Sequence, residues 1–331
     1  MARILSGIQP SGELHIGNWL GAVQNWVDLQ SRHDCFVCIV DLHALIGGRF
    51  DPATHAELTR EMAVSLLAAG IDPARATLFV QSHVPEHSEL MWLLNAVTPV
   101  GELERMTQYK DKSRGMESIP AALLNYPILQ AADILLYRAD LVPVGEDQLQ
   151  HLELAREIVR RFSAAFGAAP FPEPQPLLSP VKRVMGLDGQ GKMSKSRGNT
   201  IGILDSPETI WQRLRPAVTD PARVTKKDPG TPEICNIYHL HQAFSPPGTV
   251  EQVARKCRGA EWGCLDCKRV LADNIAAAFA PMRERAAALA ADPARVESIL
   301  RDGAARARAV ARETLREVRD LMGFLAPEGI R

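Results

Sequence analysis

The sequence predicts an α/β protein, with a doubly wound parallel sheet followed by an all-helical C-terminal domain. Three observations point to it. Short apolar runs alternate with segments of helical period through the first half of the chain. Beyond the middle, composition shifts to Ala, Arg and Glu at helical spacing. The 331 residues are too many for one small core and fit a large domain plus a smaller one.

Each element follows from local chemistry. Ile4–Ile8 is a short apolar strand that ends in the turn Gln9-Pro10-Ser11-Gly12. Trp19, Val23, Trp26 and Leu29 then recur at helical spacing. Cys35–Val40 is a continuous apolar strand. Asp51-Pro52 opens a helix that runs towards Gly70, a capping carboxylate followed by proline at the first helical position. Thr77–Val80 is the next strand, and Pro85-Glu86 starts the next helix. Leu141–Val144 is a strand leading through Gly145-Glu146-Asp147 into a helix to Phe166. Strands separated by helices imply parallel pairing, with ligands at the carboxyl ends of the strands. Proline-rich Ala169–Pro180 reads as a linker, and Gly186–Asn199 as a glycine- and lysine-rich loop. Val270–Leu289 and Val296–Leu321 are the long helices of the second domain.

Composition excludes some functions. Hydrophobic residues make up 46% and charged residues 23%, as in ordinary globular proteins. The formal net charge of -1 gives no global field for nucleic acid, so RNA contact falls to local patches. Candidates are Arg213 with Arg215, Arg223 with Lys226 and Lys227, and Arg255 with Lys256 and Arg258; each also reads as a solvated charged face. No apolar run approaches a membrane span, and the N-terminus lacks a signal-peptide hydrophobic region. A cytoplasmic location is expected, and six cysteines there point to metal ligands or buried thiols.

Two segments carry chemistry. In Gly7–Asn18 a strand ends in small residues and a helix opens with His15-Ile16-Gly17-Asn18. Backbone N–H groups at a helix start attract anions, here the phosphates of ATP, and Gly17 allows close approach of an adenine ring. Alone, the segment also fits a plain strand–turn–helix with a solvated His15. Lys192-Met193-Ser194-Lys195-Ser196 puts two lysines and two hydroxyls on a glycine-flanked loop. That set suits a departing pyrophosphate, whose charge grows in the transition state.

With both segments in one chain, the sequence resembles the class I aminoacyl-tRNA synthetases, whose signatures are HIGH and KMSKS. Tyr126–Tyr137 and Val142–His151 are similar to the bacterial tryptophanyl-tRNA synthetases, and the likeness runs from Gly7 to the C-terminal helices. The resemblance implies a Rossmann-like catalytic domain over 1–185 and, over 186–331, the KMSKS loop with a helical anticodon-binding domain. It implies that Asp133 accepts the indole N–H and that Tyr126 and Gln148 hold the α-amino end. Val40, His43, Ile134, Val142 and Val144 match the indole pocket. Gln9, Pro10, Ser11, Gly17, Asn18, Gly145, Glu146, Asp147, Val184 and Lys192 to Ser196 match the ATP site. His15, Lys192, Lys195 and Lys112, the last in the charged loop Lys110–Arg114, are the expected catalytic set. Leu5 and Gln130 depart from relatives with Phe and Met there, and Gln130 adds a polar group beside the indole site. The resemblance also implies Mg²⁺, tRNA(Trp) and a homodimer.

The residues agree with that reading. Asp133 lies between Ala132 and Ile134, and a carboxylate in an apolar stretch is costly unless a partner satisfies it. A helix cap or structural hydrogen bond is the commoner use of a lone Asp. A site built around one ring N–H rejects ligands lacking it by about 10⁴–10⁵, which makes editing unnecessary. A tyrosyl-tRNA synthetase, a non-catalytic RNA-binding paralogue and a cysteine redox sensor are the competing readings.

Cys235, Cys257, Cys264 and Cys267 form C-x21-C-x6-C-x2-C, a donor set for zinc or an iron–sulfur cluster. Some tryptophanyl-tRNA synthetases carry a [4Fe–4S] cluster at a similar pattern with one more residue in the first gap, so the resemblance favours the cluster over Zn²⁺. Cys35 and Cys38 sit three apart in a strand, facing opposite sides, and read as core thiols.

Overall fold

The structure is a computed structural model that describes residues 1–47, 50–178 and 184–325. Five strands form one sheet: β1 (Arg3–Ile8), β2 (Asp34–Ile39), β3 (Ala76–Val80), β4 (Leu141–Val144) and β5 (Gln175–Leu178). Their order is β3-β2-β1-β4-β5 and every pair is parallel. Parallel strands need covered faces, which is why β2 and β3 are almost continuously buried. The chain crosses to opposite sides of β1, making a switch point there, and residues after the strands gather at the carboxyl edge.

The helices, in chain order, are α1 (Ile16–Asn18), α2 (Gln24–Leu29), α3 (His55–Ala69), α4 (Glu86–Leu94), α5 (Val100–Arg105), α6 (Thr107–Ser113), α7 (Ala121–Leu136), α8 (Leu149–Phe166), α9 (Pro207–Leu214), α10 (Asn236–Phe244), α11 (Pro247–Arg258), α12 (Cys264–Ala290) and α13 (Pro293–Leu321). They divide with the sheet into two compact units. The first holds Met1–Gly12, Gln24–Pro180 and Asp292–Arg331, and the second holds Glu13–Val23 and Val181–Ala291. These units cut the chain differently from the expected 1–185 and 186–331.

In the first unit, α7 is apolar nearly all round and accordingly buried. Its residues join Phe36, Phe79 and Phe162 in one core that also takes Ala307, Ala311 and Leu315 of α13. Each large side chain so buried contributes roughly 1.5–3 kcal/mol. Gly303 brings α13 onto β3, since a Cβ there would stand 1.8 Å from the Leu78 carbonyl oxygen. The C-terminal helix, expected in the second domain, thus packs in the first unit. In the second unit, Ile210, Leu214, Ile237, Leu240, Leu271, Ile275 and Phe279 are buried. Lys268 is buried with them, and its ammonium donates to the carbonyls of Arg215 at 2.8 Å and Ala217 at 2.6 Å.

Several boundaries differ from the sequence expectation. Ala169–Pro180, read as a linker, contains strand β5, and its last two residues lie outside the described set. The helix through Trp19 is interrupted by a π-helical turn, Trp19–Val23. Asp51 does not start α3; its carboxylate accepts Ala53 N–H at 3.0 Å and closes a turn ahead of His55. Lys110–Ser113, read as a loop, ends helix α6. Among the described residues no helix is long and apolar enough to cross a membrane.

Candidate active site

The first unit contains a buried polar network centred on Asp133 of α7. Asp133 is 3% exposed. Its Oδ2 accepts from His43 Nε2 at 2.8 Å, and its Oδ1 from Gln81 Nε2 at 2.6 Å and His87 Nδ1 at 2.7 Å. Burial pushes its pKa up, but the hydrogen bonds and charges of His43 and His87 prevail and bring it down to about 2. The carboxylate therefore stays ionised at working pH, so both facing imidazole nitrogens donate. His87 Nε2 in turn meets the Tyr137 hydroxyl at 2.7 Å.

Helix and strand ends place these groups. His43 follows β2, Gln81 follows β3, and His87 lies in the first turn of α4. Of this network, sequence reasoning named Asp133 and His43 and missed Gln81, His87 and Tyr137. The one available signal was position, because Gln81 directly follows a parallel strand. Val40, Ile134 and Val142 are buried in the same core cluster as Leu5, and half-buried Val144 packs against it.

A second group surrounds Tyr126, about two helical turns before Asp133 on α7 and also buried. The Tyr126 hydroxyl is 2.8 Å from His151 Nε2, and the Lys112 ammonium lies 5.2 Å from the Tyr126 ring centroid. Burial raises Tyr126 to about 12, and burial with the Lys112 charge lowers His151 to about 4. His151 is thus neutral, and its Nδ1 is buried with no partner among the described residues. Gln130 Nε2 donates to Gln148 Oε1 at 3.3 Å, and Gln148 Nε2 donates to Asp147 Oδ2 at 3.1 Å. Gln130 therefore spends its amide on the residue expected at the α-amino end. Gln9, Ser11, Gly145, Glu146 and Asp147 are exposed just beyond β1 and β4, with Pro10 buried among them.

The second unit contains the other predicted set. His15 caps α1: its Nδ1 accepts Asn18 N–H and Asn18 Oδ1 accepts His15 N–H, each at 3.3 Å. A Cβ on Gly17 would stand 2.9 Å from His15 Nδ1, so only glycine leaves the ring in place. The turn is pinned by Ile16 N–H to the Ile201 carbonyl and Ile203 N–H to the Leu14 carbonyl, both 2.9 Å. Burial, then the charges of Lys195 and Lys192, lowers His15 to about 4, so the ring is neutral. Two lysines thus act on the imidazole electrostatically, which joins the two signature motifs in this unit.

The lysine loop is held at its base. Met193 N–H donates to the Val184 carbonyl at 3.0 Å, and Ser194 N–H to Asn199 Oδ1 at 2.7 Å. Met193 is buried, while Lys192 is exposed and Lys195 half-buried. Burial lowers Lys195 to about 8, against a smaller upward pull from Glu13. The side chain of Ser196 lies outside the described set. The predicted nucleotide residues are therefore divided, with Gln9 to Ser11 and Gly145 to Asp147 in the first unit and Gly17, Asn18, Val184 and the loop in the second.

Among the described residues no three His, Cys, Asp or Glu side chains are spaced to hold a metal ion. Even so, the four predicted cysteines share one neighbourhood. Cys267 is raised to about 12 by burial and then by Cys235, Cys257 and Cys264. Arg223 Nη1 lies 3.7 Å from Cys257 Sγ, and Lys268 carries its charge close to Cys264, Cys235 and Cys267. Cys35 and Cys38 are buried on β2. The basic patches are largely paired already: Arg213 with Asp205 at 3.3 Å, Arg255 with Glu261 at 3.0 Å, Arg258 with Glu233.

A parallel sheet, a capped His-x-Gly-Asn turn beside a lysine loop, and a buried carboxylate together define a nucleotide-dependent ligase of the synthetase type. The profile of the class I tRNA synthetases (W and Y) matches residues 1–280, and the chain belongs to that family. It is 55% identical over 329 residues to the tryptophan–tRNA ligase of Deinococcus radiodurans, covering 98% of this chain and 99% of that one. The tryptophan–tRNA ligase of Thermotoga maritima is 43% identical over 328 residues, covering 98% and 99% of the two chains. Among solved structures, tryptophanyl-tRNA synthetase from Campylobacter jejuni complexed with ADP and tryptophan has a TM-score of 0.89 at 36% identity, covering 97% of this chain and all of that one (100%). The tyrosyl-tRNA synthetase of Archaeoglobus fulgidus, complexed with L-tyrosine, has a TM-score of 0.67 at 25% identity over 86% and 90% of the chains.

Proposed function

We propose that this chain is a tryptophan–tRNA ligase. It activates L-tryptophan with ATP to tryptophanyl-adenylate and pyrophosphate, then transfers tryptophan to the 3′ end of tRNA(Trp). The observation that carries the reading is Asp133, an ionised carboxylate 3% exposed among apolar walls and held by three donors. A bare aromatic ring, as in phenylalanine, offers no donor to such a group.

The chemistry follows from charge and position. The tryptophan carboxylate, already ionised, attacks the α-phosphorus of ATP, which arrives with Mg²⁺ as part of the substrate. The bond to pyrophosphate breaks and the leaving group takes the electrons. Lys192 and Lys195 meet that growing charge, with Lys112 as a third cation and neutral His15 donating from Nε2 to phosphate oxygen. Tyr126 and Gln148 hold the α-ammonium, and Val40, His43, Ile134, Val142 and Val144 enclose the indole. Gln9, Pro10, Ser11, Gly17, Asn18, Gly145, Glu146, Asp147 and Val184 contact the nucleotide. In the second step a ribose hydroxyl of the tRNA end displaces AMP. The test is charging of tRNA(Trp) with labelled tryptophan. Ester formation at the 3′ end is expected, and charging with tyrosine instead would contradict the reading.

Cys235, Cys257, Cys264 and Cys267 are assigned to a [4Fe–4S] cluster, with Zn²⁺ as the alternative. What supports the assignment is the resemblance and the shared neighbourhood of the four thiols, with the positive charges of Arg223 and Lys268 beside them, although among the described residues no three are spaced to hold a metal as they stand. The group would clamp the start of α12 to Cys235 and Cys257, a structural role. The region over 186–331 supplies the anticodon-binding surface. A homodimer goes with the resemblance, and Trp92 on α4 and Val100 on α5, at 76% and 58% exposure, are apolar side chains a second copy would cover. A cytoplasmic location goes with that role in translation.

A further inference from the structure

We propose that His87 and Tyr137 are positioning residues that set indole specificity, by holding Asp133 so that one lone pair of Oδ2 is left for the ring N–H. The inference rests on the tryptophan reading above. Each carboxylate oxygen accepts about two hydrogen bonds. Oδ1 is filled by Gln81 at 2.6 Å and His87 at 2.7 Å, whereas among the described residues Oδ2 takes only His43 at 2.8 Å. An incoming N–H therefore has one acceptor site, on Oδ2 beside His43.

His87 fixes the rotation of the carboxylate only if its own ring is fixed. Its Nδ1 carries the proton, because the Asp133 carboxylate can only accept. Its Nε2 is hydrogen-bonded to the Tyr137 hydroxyl, 2.7 Å away, which holds the far side of the ring. Tyr137 is fully buried, stacked on Phe36 at 4.8 Å and edge-on to Phe79 at 5.4 Å. Phe79 also lies against the His87 ring at 6.0 Å. The chain Tyr137–His87–Asp133 thus runs from a packed aromatic cluster to the carboxylate that reads the indole, with neither Tyr137 nor His87 needing to touch substrate. A rotated carboxylate would put a filled oxygen towards the ring and lose the distinction between an N–H and an isosteric atom without one.

The test compares L-tryptophan with L-3-(benzothienyl)alanine, which has sulfur in place of the ring N–H. The readout is the ratio of their kcat/KM values in adenylate formation, in which any change in the active fraction cancels. Tyr137→Phe, which removes only the hydroxyl, is expected to lower the ratio about threefold to tenfold, and His87→Leu about 10–100-fold. His87→Asn keeps a donor near the position of Nδ1 and is expected to restore the ratio to within about threefold of the parent. A His87→Leu protein that slows on both substrates alike, with the ratio unchanged, would show a merely structural role and overturn the inference. So would an Asn variant as unselective as the Leu variant. A parent that uses both substrates equally overturns the tryptophan reading itself, and this inference with it.

Discussion

At the residue scale the account rests on Asp133. Its carboxylate is held at about 2, so discrimination should not change between roughly pH 5 and pH 9 through this group. Asp133→Ala removes the acceptor and leaves three buried donors, on Gln81, His43 and His87, facing one another. The expected loss is on the order of 2–4 kcal/mol in kcat/KM for tryptophan, together with loss of selection against phenylalanine. Steady-state kinetics on the two amino acids check it, and a variant as selective as the parent would remove Asp133 from the role. This residue was legible in the sequence because a carboxylate in an apolar stretch stands out. Gln81, His87 and Tyr137 were not, since each is ordinary within its own segment and acquires meaning only where β3, α4 and α7 meet.

At the scale of elements, the loop Lys192–Ser196 and the capped turn at His15 are the working parts of the second unit. Lys195→Ala is expected to lower kcat for activation with little change in KM for tryptophan, the pattern of a group that acts mainly in the transition state. A raised KM with unchanged kcat would make it a ground-state binder. Lys195 titrates near 8, and its useful form is the ammonium, so activity is present below that value and lost as pH rises through it. The kcat/KM for ATP should therefore fall with an apparent pKa near 8, and bound phosphates should move the corresponding fall in kcat upward. Lys195→Arg, which cannot lose its proton in this range, should abolish the alkaline limb, and a limb that persists would assign it elsewhere. Most elements were legible from periodicity, including four of the five strands. β5 was hidden by prolines 172, 174, 176 and 180, because an edge strand tolerates a residue that a central strand excludes. The π turn at Trp19 is invisible to spacing, since one inserted residue keeps neighbouring apolar side chains near one face.

At the scale of the whole molecule, chain order does not predict packing. The resemblance implied a boundary near residue 185, but Gly303 binds α13 to β3 through a backbone contact that no helical period reveals. The four cysteines give a prediction at this scale. Anaerobically purified protein should contain iron and acid-labile sulfide, whereas zinc alone would favour the alternative and a metal-free protein that charges tRNA fully would remove both. Exposed Trp92 gives another: light scattering should report a dimer, and Trp92→Asp should shift it towards monomer. The central claim, that this chain selects and activates tryptophan, is met most directly by amino-acid-dependent ATP–pyrophosphate exchange run in turn with all twenty amino acids. The account predicts exchange with tryptophan alone. Exchange driven by tyrosine or by several amino acids, or none with tryptophan, would contradict it.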